Sequence, residues 1–107
     1  MGGSGSGGYS APQKIKFDCE NGQIITAVSS IDLNSLQKHK VDDILSISIS
    51  QKNSIVLEDG NGEILGSVLH SNTSALLECI RNGNVYYAKI ISIEGLACRV
   101  LIKRENI

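Results

Sequence analysis

Leu45-Ser46-Ile47-Ser48-Ile49-Ser50-Gln51-Lys52-Asn53-Ser54-Ile55-Val56-Leu57-Glu58-Asp59-Gly60-Asn61-Gly62-Glu63-Ile64-Leu65-Gly66-Ser67-Val68 is the stretch that decides the fold class. From Leu45 to Ser50 the apolar residues hold the odd positions and serine holds the even ones. That strict period of two predicts a strand with one buried face and one solvated face. Lys52-Asn53 then makes a tight turn into a second strand over Ser54 to Asp59. Asp59-Gly60-Asn61-Gly62 makes another into a third strand over Glu63 to Val68, because Asn, Asp and Gly tolerate the backbone angles that short turns demand. Three short strands joined in this way form a meander.

Downstream of the meander, Ser71-Asn72-Thr73-Ser74 offers several N-cap oxygens, and Leu76, Leu77 and Ile80 fall on one helical face. Gly83 stands where a left-handed C-cap would end the segment, so one helix of about ten residues is expected. Tyr86 to Lys103 reads as a hairpin. With a three-residue loop, Glu94-Gly95-Leu96, Tyr86, Ala88 and Ile90 share a face with Cys98, Val100 and Ile102. The opposite face then gathers Tyr87, Lys89, Arg99 and Lys103 with Ile91, Ile93 and Leu101. A two-residue loop would set Lys89 among Cys98, Val100 and Ile102. Burying an unpaired lysine is costly, so the three-residue loop is the expectation.

Upstream of the meander, Lys14-Ile15-Lys16-Phe17-Asp18 alternates as a half-buried strand does, and Glu20-Asn21-Gly22-Gln23 supplies a turn. Gln23 to Ile31 reads as a further strand, and Asp32 is placed to cap a single helical turn reaching Leu36. Met1 to Gly8 reads as an expression linker, leaving residues 9–107 as one domain. The expected architecture is mainly β with one short α-helix, a small OB-like or SH3-like β-barrel.

The chain is 41% hydrophobic and 20% charged with a formal net charge of −1, ordinary values for a globular domain. No strong basic excess argues for nucleic acid on overall charge alone, although a local basic face remains compatible with it. Cys19, Cys79 and Cys98 make an odd count with no metal-ligand spacing. The expectation is therefore free, mostly buried thiols in a reducing, cytoplasmic compartment. No apolar run approaches the ~18 residues of a membrane span.

Catalytic chemistry finds little to work with. His39 lies in Lys38-His39-Lys40, a cationic stretch expected to be solvated, with no carboxylate in view to orient it; His70 reads as a surface or capping residue. Asp42-Asp43 and Glu58-Asp59 are sequence neighbours, which on a strand point to opposite faces. Neither pair forms an acid/base site by itself, and both read as solvated turn flanks. Gly60-Asn61-Gly62 lacks the strand-to-helix setting and the Lys-Ser/Thr of a phosphate loop. The expectation is a non-enzymatic module with no metal and no cofactor.

The central and C-terminal part resembles the HIRAN domain family. Val41-Asp42-Asp43-Ile44-Leu45 looks like that family's leading strand, and Asn53-Ser54-Ile55-Val56-Leu57 is similar to its Asn-Ala-Ile-x-Val segment. Gly62-Glu63-Ile64-Leu65-Gly66-Ser67-Val68 looks like its Gly-x-x-x-Gly hairpin, and Ser74 to Ile80 stands for its helix. The resemblance implies a modified OB-like barrel that binds single-stranded DNA. The family holds a 3′-hydroxyl end with a pair of aromatics and an Asn-Pro-x-Asp loop. This chain has Ile24-Ile25-Thr26 and the shorter Gln51-Lys52-Asn53 instead, so none of those pocket residues carries over.

Two functions follow as expectations. In the first, the chain binds nucleic acid, with Tyr87 stacking on bases and Lys89, Arg99 and Lys103 meeting phosphates. In the second, it is an interaction or structural accessory domain of a larger cytosolic protein. There Ile91, Ile93 and Leu101 would seat a protein partner or a second copy. The balance of cations against apolar groups on that face discriminates between them.

Overall fold

A computed structural model describes residues 17–105. The serines of the opening stretch turn outward and Leu45 turns in, and the strand they form, Ile44–Ile49, is the first of the expected meander. It pairs antiparallel with Ile55–Glu58, which pairs antiparallel with Ile64–Val68. In chain order the elements are β1 (Ile24–Ser29), α1 (Leu33–Leu36), β2 (Ile44–Ile49), β3 (Ile55–Glu58), β4 (Ile64–Val68), α2 (Thr73–Arg81), β5 (Tyr86–Glu94) and β6 (Ala97–Arg104). Around the sheet the order is β1-β4-β3-β2-β5-β6, closed into a barrel. The mainly β, small-barrel expectation is met. Closure gives each described strand a partner on both sides over part of its length, which limits the unpaired backbone groups that make edge strands sticky.

Each turn has its chemical reason. Asp59 accepts the backbone N–H groups of Asn61 and Glu63 at 2.8 and 3.0 Å, and Gly62 takes φ 83 to reverse the chain. At the other end of β3, Asn53 adopts φ 62, a left-handed angle that asparagine tolerates. Asp32 caps α1 as expected, accepting from the N–H groups of Asn34 and Ser35. Asn72 occupies the N-cap of α2 without a side-chain bond. His70 supplies the missing acceptor through Nδ1, which takes the Asn72 N–H at 3.0 Å. Gly83, at φ 101, follows the helix.

The barrel interior is filled by Ile24, Leu45, Leu57, Leu65, Ile90, Val100 and Ile102, and α2 adds Leu76 and Cys79 to the same buried cluster. β4 lies so close to β1 that a Cβ on Gly66 would fall 2.5 Å from Val28 Cγ1 and 2.7 Å from the Ser29 carbonyl. Only glycine fits that contact without a backbone shift.

Four expectations need correction. The strand proposed for Lys14 to Asp18 lies outside the described residues as far as Lys16, and Phe17 and Asp18 are not in a strand. Asp18 instead accepts the Glu20 N–H, and the Phe17 ring packs 6.2 Å from that of Tyr86. The thiols are not all free: Cys19 and Cys79 form a disulfide with Cα atoms 5.6 Å apart. An odd count here means one bond plus one buried thiol, Cys98. The argument for a reducing compartment loses that support.

The other two corrections concern the last hairpin and His39. Glu94 pairs with Ala97, so the β5–β6 loop has two residues, Gly95-Leu96, and Gly95 takes φ 60. Lys89 nevertheless stays outside. A register shift between Ile90 and Ser92 inserts one extra residue into β5, and this bulge restores the parity that loop length alone would have broken. The price falls on Ile93, which pairs with the inward Cys98 and packs against the core rather than on the outer face. His39, expected to be solvated, is only 9% exposed at its side chain. Its Nδ1 lies 3.0 Å from Asp43 Oδ2 and its Nε2 3.8 Å from Asp59 Oδ2.

Candidate nucleic-acid interface

Along β5 the alternation Tyr86, Ala88, Ile90 points into the barrel, so Tyr87 and Lys89 must point out. Along β6 Cys98, Val100 and Ile102 point in, so Arg99, Leu101 and Lys103 point out. The register then sets distances between side chains. Tyr87 lies directly across from Lys103, and Lys89 directly across from Leu101. Directly opposed residues have Cβ atoms ~5 Å apart, so the Tyr87 and Lys103 side chains leave the sheet side by side. Arg99 shares the face but sits four residues from Lys103, about 13 Å along the strand, opposite Ser92 on β5 and Ala27 on β1. All four expected residues are therefore on one face, and three of them, Tyr87, Lys89 and Lys103, form a cluster.

On the other side of β5 lies β2, with Ser46 opposite Tyr87 and Ile44 opposite Lys89. Between the two strands runs an open groove of about 670 Å³ lined by Tyr87, Lys89, Ile44, Ser46 and the two acids Asp42 and Glu105. Those acids were not among the residues the sequence singled out for this face. Asp42 and Asp43 lie before β2 rather than on a strand, and their side chains diverge all the same: the Asp43 carboxylate meets His39 and the Lys40 N–H. The Asp42 carboxylate meets Lys89, with Oδ1 3.4 Å from Nζ. Hydrogen bonding to His39 and Lys40 holds the Asp43 carboxyl below the usual carboxylate range. Only the pairing of β2 with β5 brings Asp42 and Ser46 to Tyr87, and no local sequence pattern announces a pairing of strands so far apart.

Apolar groups share the surface. Ile44, Lys89, Leu101 and Ile25 make one row across β2, β5, β6 and β1, with Ile44 57% and Ile25 52% exposed. Ile91, at the bulge, is also exposed. Among the described residues no group of three or more His, Cys, Asp or Glu side chains is placed to hold a metal ion. No described helix is long and apolar enough to cross a membrane. Burial raises the Cys98 thiol above its ordinary range, which leaves it protonated and a poor nucleophile. No family model, curated protein or solved structure matches the chain.

Proposed function

We propose that the outward β5–β6 face is the binding surface of a non-enzymatic nucleic-acid-binding module, HIRAN-like, that takes single-stranded DNA. The observation that carries the reading is the apposition of Tyr87 and Lys103, with Lys89 next along the same face beside the open groove. A base stacked on the Tyr87 ring would bring its flanking phosphates toward Lys103 and Lys89, which leave the same face at adjacent register positions. Stacking of this kind tolerates any base, since every base has a π-face. Arg99 would extend the contact along the strand direction.

Fluorescence anisotropy with a labelled single strand at low salt tests the reading. Tyr87→Ala should lose about 1–3 kcal/mol of binding. Lys103→Gln should reduce the slope of log affinity against log salt by about 0.7, the value for one phosphate contact on a single strand. Equal affinity of both variants and the unmodified chain would remove the reading.

A second reading rests on the row Ile44, Leu101 and Ile25, which gives the same face an apolar band beside its cations. As a protein-interaction domain, the chain would seat an apolar partner or a second copy there. Ile25→Lys and Ile44→Lys would then abolish association seen by light scattering, whereas both substitutions would strengthen binding to a single strand.

A further inference from the structure

Asp42 stands out on backbone grounds first. It is one of three described non-glycine residues with positive φ, at 80. β5 holds it there: the Asp42 N–H donates to the Ile90 carbonyl at 2.8 Å, and the Ile90 N–H donates to the Asp43 carbonyl at 2.9 Å. These bonds sit beside the bulge between Ile90 and Ser92. The left-handed angle and the bulge together deliver the Asp42 side chain to the groove, 3.4 Å from Lys89. The contact is loose and wet, with the Lys89 side chain 43% and the Asp42 side chain 75% exposed. Exposed pairs of this kind contribute little to folding and are readily exchanged.

Resting on the reading of this face as a nucleic-acid surface, we propose that Asp42 is a built-in competitor for Lys89. Its carboxylate occupies the position at the ammonium group that a phosphate would take, and so sets how tightly the surface holds an anionic backbone. A phosphodiester must displace Asp42 to reach Lys89 and must also approach its negative charge. The surface is thereby tuned to weak binding, and Asp42 is a specificity-determining residue for the groove rather than a stabiliser of the barrel.

The test is a double-substitution cycle read by anisotropy of a fluorescein-labelled oligothymidylate at low salt. Asparagine is the right replacement because it tolerates left-handed φ as aspartate does; an unchanged melting temperature verifies that the backbone is kept. Asp42→Asn should tighten binding about two- to five-fold, and this gain should shrink in the Lys89→Ala background, where only the direct repulsion of the phosphate remains to be relieved. An equal gain in both backgrounds, or no gain at all, overturns the proposal while leaving the surface itself in place. Absence of binding by both the unmodified chain and Asp42→Asn overturns the proposal together with the reading it rests on.

Discussion

His39 joins the loop before β2 to the turn after β3, because its ring lies between Asp43 and Asp59. Its Nε2 is buried without a hydrogen-bond partner among the described residues, so the carboxylates supply what order the ring has. Asp43 is the closer partner. The His39 hydrogen bond, then the Lys40 N–H, favour its ionised form and lower its pKa. A carboxyl whose pKa is lower folded than unfolded contributes stability that is fully present above the unfolded value. That contribution fades as pH falls through the folded value. Asp43→Asn should therefore cost on the order of 1 kcal/mol at neutral pH. It should also flatten the acid side of the stability curve, the two proteins converging below the carboxylate range. Urea denaturation at a series of pH values reads this directly, and parallel curves across the acid range would contradict it.

At the scale of elements, the β2–β3–β4 meander and α2 were legible because their signals are local. Leu45 to Ser50 alternates without a break, Asn53 and Gly62 sit where left-handed angles are needed, and Leu76, Leu77 and Ile80 mark the helical face, of which Leu76 is buried while Leu77 and Ile80 pack half-buried against the core beside the unforeseen Cys79. The outward set Tyr87, Lys89, Arg99 and Lys103 was legible for a similar reason: parity along a strand follows from side-chain identity. The means by which parity is kept was not. A longer loop and a shorter loop with a bulge satisfy the same inside-outside pattern, and they differ only at Ile93 and the loop residues. Ile91 is therefore the extra residue on which the hairpin depends. Deleting it would force Lys89 toward the Val100 side of the sheet or slide the loop out of register, so the variant should lose its cooperative thermal transition. Ile91→Ala keeps the residue count and, at an exposed position, should cost less than about 1 kcal/mol. A deletion variant that melts like the unmodified chain would refute this account of the bulge. Asp42 and Ser46 in the groove were invisible in the sequence, since their proximity to Tyr87 depends on the long-range pairing of β2 with β5.

For the whole molecule, the disulfide between Cys19 and Cys79, 60 residues apart, ties the segment before β1 to α2. Tyr86 reinforces the tie by donating its hydroxyl hydrogen bond to the Cys19 carbonyl at 2.7 Å. Spacing in the sequence could not reveal the bond, because nothing local relates those two positions. A bond closing a loop of this size restricts the unfolded chain and is worth about 2–4 kcal/mol. Dithiothreitol, or Cys19→Ser with Cys79→Ser, should lower the melting temperature by roughly 10 °C or more. An unchanged melting temperature, with three titratable thiols in the unfolded unreduced protein, would show that the bond does not form.

The strand order places the first strand between the fourth and the sixth. Ile24 to Ala27 pair with β6, while only Val28 and Ser29 pair with β4. During synthesis, most of β1 must therefore wait for the last strand to leave the ribosome. Until Ala97 to Arg104 emerges, the nascent chain carries β1 and β5 with unsatisfied backbone groups along one side of each, the state in which a β-rich chain is most exposed to mispairing with its neighbours.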